Sequence, residues 1–418
     1  MMRSLNQFST KESTSPGYAV LSSGFAQARK SACFAATGDC ALAATRIALT
    51  DFRSYAESEL CVDPCPVVLS GANGIGKTNL LEAVSLLSPG RGLRGAKLAA
   101  IPRKMPDGEP ASNWTVSAVL ARPPHGEWRI GTGYVPPIPG GQPRRVFHLN
   151  GAPAEAAEVA ELVAVLWLTP SMDRLFLEGA QLRRRFLDRL VFALVPGHAR
   201  KSARYERAVT ERLRLLRDGM RRGQWLDALE TTMAEEGASI NAARQEMIES
   251  LNVELGARRA EGAFPCAHLS LAGERGDIAV ETEVLAAAFA ASRERDRESG
   301  RTNHGPHTAD LEVRHSGKRS DARECSTGEQ KALLISIVLA DAWLKRKLHG
   351  VAPMLLLDEI AAHLDSLRRA ALFDEILALN SQAWLTGTDR QLFSPLKARA
   401  QFITIDAGRF VAMEDNAA

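Results

Sequence analysis

The chain predicts an α/β fold: a mixed sheet with flanking helices around a nucleotide site, an antiparallel sheet beside it, and an inserted α-helical lobe. Three observations carry this expectation. Gly71-Ala72-Asn73-Gly74-Ile75-Gly76-Lys77-Thr78 follows the apolar strand Val67-Val68-Leu69 and opens a segment with Leu80, Leu81, Val84 and Leu87 on one helical face. Met354-Leu355-Leu356-Leu357, too continuously apolar for a half-exposed strand, reads as a buried parallel strand delivering Asp358 and Glu359. Between the two, strand signals give way to helix formers rich in arginine.

With 418 residues, 45% hydrophobic and 24% charged, the chain can bury a large core and hold more than one domain. Its longest apolar runs fall far short of the roughly 20 residues a bilayer span needs, and no charged-then-apolar leader opens it, so a cytoplasmic location is expected. Six cysteines (Cys33, Cys40, Cys61, Cys65, Cys266 and Cys325) form no CxxC pair and are expected to be reduced and structural.

Residues 1–45, rich in Ser and Ala and without clear periodicity, read as a disordered extension or as the product of a misassigned start. Residues 46–172 form the N-terminal part of the ATPase lobe, with the phosphate loop. Within it, segments 114–120, 128–135 and 145–149, separated by Pro and Gly, predict antiparallel sheet. Residues 173–260 form the inserted helical lobe, where Leu226, Leu229, Met233, Ile240, Met247 and Leu251 recur at sums of three and four. Residues 261–418 return to sheet near 267–271 and 310–313 and carry the second half of the ATP site.

The glycines of residues 71–78 let backbone N–H groups turn inward around phosphate oxygens, Lys77 reaches the β and γ phosphates, and Thr78 ligates Mg²⁺. The helix beginning near Lys77 and Asn79 adds its positive end to the same site. Asp358 is placed to hold Mg²⁺ through water, and Glu359 to orient and deprotonate the attacking water. Ser326, Thr327, Gly328 and Glu329 precede a helix containing Leu333, Leu334 and Ile337; they read both as a capping box and as a second phosphate-ready helix start. In a chain whose own phosphate loop is complete, that second start suits the γ-phosphate held by a partner molecule. His304-Gly305-Pro306-His307 has no cysteine or carboxylate to complete a metal set and reads as a structural turn.

From residue 183 to 222, thirteen basic residues face four acidic ones, an excess of nine in a chain whose net charge is +3. Such asymmetry marks a nucleic-acid footprint, with Arg184, Arg185, Arg204, Arg207, Arg214 and Arg217 as candidate DNA contacts; a solvated helix face is the alternative. Arg184 and Arg185 are also placed to brace the lobe against the core through Asp188 or other acids.

From about Arg46 to the C-terminus the chain resembles the RecF family of bacterial recombination mediators, whose ATPase heads are of the ABC and SMC type. The resemblance rests on Leu49-x-x-Phe52-Arg53-x-Tyr55, Gly76-Lys77-Thr78-Asn79-Leu80-Leu81-Glu82-Ala83 and Arg183-Arg184-x-Phe186-Leu187-Asp188. Tyr205-Glu206-Arg207, Gly305-Pro306-His307 and Leu355-Leu356-Leu357-Asp358-Glu359 continue it in the same order. It implies an ATP-dependent homodimer in which each nucleotide lies between one subunit's phosphate loop and residues 326–329 of the other. It further implies DNA bound at gaps and single-strand to double-strand junctions, RecR and RecO as partners in loading RecA, and a slow, DNA-dependent ATP hydrolysis that resets the clamp. Asp365, in Ala361-Ala362-His363-Leu364-Asp365, matches the loop that communicates between the two sites.

The chain also departs from the wider ABC pattern. Thr327 stands at the signature's first glycine and Glu329 at its glutamine; Thr169-Pro170-Ser171 stands where transporters carry a glutamine, and Leu385-Thr386-Gly387-Thr388-Asp389 where they carry a switch histidine. An ABC-transporter ATPase subunit shares the nucleotide geometry, but those absences and the arginine-rich lobe weigh against it. A structural binding protein that never hydrolyses ATP has no use for Glu359.

Overall fold

In the computed structural model the described residues run from 42 to 412, with 123–125, 137–142, 193, 196, 221–222, 259–262, 274–277 and 407–408 outside them. The extension up to residue 41, with Cys33 and Cys40, therefore lies outside the described residues, as do Arg221 and Arg222. All the described elements belong to one compact unit, Cys33–Ala418.

The chain runs β1 (Ala43–Phe52), β2 (Tyr55–Cys61), β3 (Val67–Ser70), α1 (Lys77–Ser85), β4 (Thr115–Ala121), β5 (Glu127–Val135), β6 (Arg144–Leu149) and β7 (Ala152–Ala154). It continues through α2 (Ala156–Leu162), β8 (Val165–Leu168), α3 (Ala180–Phe192), α4 (His198–Arg217) and α5 (Gln224–Ala257). After these come β9 (Ala267–Ala272), α6 (Thr282–Ser299), β10 (Asp310–His315), β11 (Ser320–Asp321) and α7 (Thr327–His349). The last elements are β12 (Met354–Leu357), α8 (Ser366–Ala378), β13 (Ala383–Gly387), β14 (Gln401–Asp406) and β15 (Arg409–Ala412).

The mixed sheet has the order β15-β14-β3-β13-β12-β8, parallel except for β15. Every residue of β3, β12 and β13 is buried, as strands covered on both faces must be. Alternation within them decides the layering, because successive side chains point to opposite faces. Val67, Leu69, Met354, Leu356 and Trp384 enter a core shared with α1 and the antiparallel sheet β2-β1-β4-β5-β6-β7. Val68, Leu355, Leu357 and Leu385 enter the opposite core with α3, α7 and α8. The mixed sheet is thus the middle layer, and the loops at its carboxyl edge carry the phosphate loop and both acids.

The segments expected to form antiparallel sheet became β4, β5 and β6. Two boundaries differ. Leu42, Ala43 and Ala44 are buried and β1 starts at Ala43, so the sheet begins before Arg46. The helical lobe also does not close at residue 260. Its small core joins Tyr205 and Ala208 of α4 and Met233, Ala234, Ala238 and Ile240 of α5 to Leu285 and Phe289 of α6, which follows β9. No helix among the described residues is long and apolar enough to cross a membrane.

Candidate nucleotide site

β3 runs straight into the glycine loop, where the backbone reverses toward α1. Gly76 takes φ 117°, and a Cβ there would lie 2.8 Å from the Tyr55 hydroxyl, which itself donates to the Gly76 carbonyl at 3.0 Å. Gly71 takes φ 146°, and a Cβ there would meet the Ile405 carbonyl at 2.7 Å. Both positions exclude larger residues on sterics as well as on backbone angle. α1 opens at Gly76 with no side-chain cap and no acid in its first turn. Its first N–H groups are therefore not taken by a capping side chain, which is what an anion-binding helix start requires.

Lys77 donates to the carbonyls of Gly71 (2.7 Å) and Ala72 (3.0 Å). Burial pushes its ammonium pKa down, while Glu359 and Asp358 oppose that shift, placing both carboxylates within electrostatic reach. The Thr78 hydroxyl lies 3.0 Å from both oxygens of Asp358, although 280 residues separate the two. A hydroxyl and a carboxylate converging in this way are the hard oxygen donors that Mg²⁺ takes, with phosphates and water supplying the remainder. The residues present therefore fit the ion. Asn79, at the next position, bonds Ser54 and receives a bond from Arg94.

Asp358 and Glu359 follow β12 directly. Glu359 holds φ 52°, a left-handed angle rare outside glycine, and its N–H donates to the Thr386 hydroxyl at 2.8 Å. That hydroxyl in turn donates to Asp358 Oδ1 at 2.8 Å. A cleft opens onto this cluster, lined by Thr78, Asp358, Leu93, Arg94 and the Thr169-Pro170-Ser171 turn. Arg94 reaches the buried Glu82, which also pairs with Arg53. Arg94 does not stand out in the sequence, and Thr386 enters it only as part of the run Leu385–Asp389 at the switch-histidine position. An isolated arginine or threonine carries no pattern, and only the position of Thr386 at the end of an all-buried strand hints at its place.

Residues 326–329 form the start of α7 as a complete capping box: Ser326 accepts from the Glu329 N–H, and Glu329 accepts from the Ser326 N–H at 3.1 Å. Glu329 also pairs with Lys318, which with Ser326 holds its carboxyl down to about 2. Ser326, Thr327 and Gly328 are exposed. Among the described residues, no hydrogen bond or ion pair joins this turn to residues 71–79. Asp365 caps α8 by accepting from the Arg368 N–H at 2.8 Å. The turn at Gly305 is structural: His307 accepts from or donates to the Tyr205 hydroxyl at 2.6 Å and bonds the Thr302 carbonyl at 2.9 Å, and burial pushes its imidazole pKa down.

The arginines of the lobe divide sharply. Arg212 is fully buried, paired with Glu230 (2.8 Å) and Asp296 (2.7 Å). Arg183 pairs with Asp310 at 2.7 Å, and Arg189 stacks over Trp167 at 4.5 Å. Of the bracing expected from Arg184 and Arg185 through Asp188 or other acids, Arg184 braces through the Ala309 carbonyl and not through an acid, Arg185 is exposed, and Arg183 takes the acid Asp310; Asp188 is held by Arg244 and His198. Of the candidate DNA contacts, Arg184 is half-buried, while Arg185, Arg204, Arg207, Arg214 and Arg217 are exposed. Arg204 pairs with Glu236 and Arg214 with Glu211; Arg207 bonds the Ala203 carbonyl and Arg217 the Gly300 carbonyl.

Fold and site together define a P-loop ATPase head of the ABC and SMC type, and residues 43–404 match the RecF/RecN/SMC N terminal domain family. A DNA replication and repair protein RecF from Mesorhizobium japonicum is 48% identical over 383 residues, covering 89% of this chain and 98% of that protein; one from Agrobacterium fabrum is 48% identical over 375 residues, covering 88% and 98%. The chain belongs to the RecF family of DNA replication and repair proteins. Among solved structures, the recombination mediator protein RecF with ATP, of the RecFOR pathway, superposes with a TM-score of 0.74 at 22% identity, covering 90% of this chain and all (100%) of that one. An Smc head bound to the C-terminal winged-helix domain of ScpA matches with a TM-score of 0.51 at 16% identity, covering 89% and 98%.

Proposed function

We propose that this protein is an ATP-gated DNA clamp of recombinational repair and replication restart: an ATP-dependent homodimer that acts in the cytoplasm at gapped DNA and single-strand to double-strand junctions. The observation that carries the reading is the pairing of a cis half-site with a second, exposed helix start at residues 326–329 in one chain. Residues 71–79, Asp358 and Glu359 converge, while residues 326–329 make no bond to them. Two copies facing head to tail would each complete the other's site.

In this reading ATP is hydrolysed slowly, with DNA as stimulus, and serves as a conformational switch. Lys77 holds the β and γ phosphates, and Thr78 and Asp358 hold Mg²⁺, which when bound neutralises phosphate charge. Glu359 accepts a proton from water as the water oxygen bonds to the γ-phosphorus; the bond to the β–γ bridging oxygen breaks, leaving ADP and phosphate. Asp365 relays the state of one site to the other. The exposed arginines of the lobe are the DNA contacts, and the assembly works with RecR and RecO to load RecA.

The trans half of the site is tested by Ser326→Arg. Nucleotide binding by the monomer should stay within about threefold of the unaltered protein, while the ATP-dependent doubling of mass in light scattering disappears. An unaltered dimer would refute the trans contact.

A further inference from the structure

The order of strands around the site singles out one side chain that none of the assigned roles uses. β13 lies between β3, which feeds the phosphate loop, and β12, which delivers the two acids. Thr386, near the end of β13, is 1% exposed. It stands in register with Leu69 of β3, one residue past the pair Leu357 and Leu385. A β-branched residue suits a buried strand, and valine would fill the space as well. Its hydroxyl is nonetheless fully committed, donating to Asp358 Oδ1 at 2.8 Å and accepting from the Glu359 N–H at 2.8 Å.

Both bonds act on groups whose placement matters. Asp358 is left with its carboxylate facing the Thr78 hydroxyl, so the chain of contacts runs from Thr78 through Asp358 and Thr386 to the Glu359 backbone. Glu359 sits at φ 52°, where a non-glycine residue is strained and persists only if its surroundings hold it. Turning that backbone out of the left-handed region would swing the Glu359 carboxylate away from wherever it meets water. A shift of about 1 Å at a catalytic group is enough to cost on the order of 100-fold in rate.

We propose that Thr386 is a positioning residue for ATP hydrolysis: its single hydroxyl fixes the Asp358 carboxylate toward Thr78 and holds the backbone that aims Glu359. The inference rests on the proposed ATPase reading and adds to it a residue buried behind the two acids. Removing the hydroxyl while keeping the shape leaves the part-buried Glu359 N–H without its acceptor and leaves the Asp358 carboxylate with the Thr78 hydroxyl but not that of Thr386.

The test compares Thr386→Val with Thr386→Ser in the full chain, measuring kcat, KM, affinity for a fluorescent ATP analogue with Mg²⁺, and melting temperature. Valine keeps the volume and loses the oxygen; serine does the reverse. The proposal predicts that valine lowers kcat by about 10- to 100-fold, with KM and analogue affinity within about threefold. Serine should retain kcat within about threefold despite a lower melting temperature. If valine keeps kcat, or if serine loses as much as valine in step with its melting temperature, Thr386 only packs and the proposal falls. Absence of hydrolysis by the unaltered protein would instead bring down the ATPase reading, and this inference with it.

Discussion

In the proposed mechanism Lys77 serves binding and Glu359 chemistry, although electrostatics couples them. Lys77 is buried, its pKa is pushed down by that burial, and the two acids hold its charge in place. Substituting alanine removes the point charge that a bound triphosphate needs and leaves Asp358 and Glu359 facing the phosphates unbalanced. Lys77→Ala should therefore abolish ATP binding, read as loss of fluorescent-nucleotide saturation. Glu359→Gln keeps the shape of the side chain and its N–H bond to Thr386 but removes the proposed proton acceptor. It should preserve nucleotide affinity while lowering hydrolysis by about 100-fold or more, and it should trap the DNA-bound dimer. Rapid dissociation of that variant from DNA would contradict the assignment of Glu359 as base.

At the scale of elements, the sequence discloses what local chemistry dictates and hides what pairing decides. Residues 71–78 and the run ending Asp358-Glu359 are legible because each is a contiguous pattern with a physical reason. The stripe from Leu226 to Leu251 is legible because its period is helical, and it falls within the single helix α5. α6 escapes a reading from sequence even though Leu285, Phe289, Ser292 and Asp296 repeat at helical spacing and are buried; only two of those four are apolar, and Asp296 is buried because Arg212 neutralises it. Thr386 escapes it because its partners lie 28 and 27 residues away on the neighbouring strand's end.

The same limit applies to charge counting. The excess of nine over residues 183–222 includes Arg183, Arg189 and Arg212, which serve the interior, and Arg221 and Arg222, outside the described residues. Composition cannot separate an arginine that holds a lobe together from one that meets a phosphate. The exposed remainder on α4 gives the DNA reading its sharpest test. Arg214 and Arg217 lie in the last turn of α4 and are exposed. Replacing both with Glu should weaken DNA binding by about tenfold or more and lower its salt dependence, with melting temperature little changed. Unaltered affinity would assign the face to solvent.

At the scale of the whole molecule, the central claim is that nucleotide, dimer and DNA are coupled. The middle sheet brings the phosphate loop, both acids and Thr386 to one edge, so the site is built from the ends of β3, β12 and β13 together. Residues 326–329 open α7, whose buried face packs into the core on the other side of that sheet. Binding of a second copy would thus bear on both layers of the head. The most direct measurement is binding to gapped DNA with ATP, with ADP and without nucleotide, with mass followed by light scattering in the same samples. The account predicts dimer mass and tight DNA binding together, and with ATP alone. DNA binding by a monomer regardless of nucleotide, or no DNA binding in any state, would contradict it.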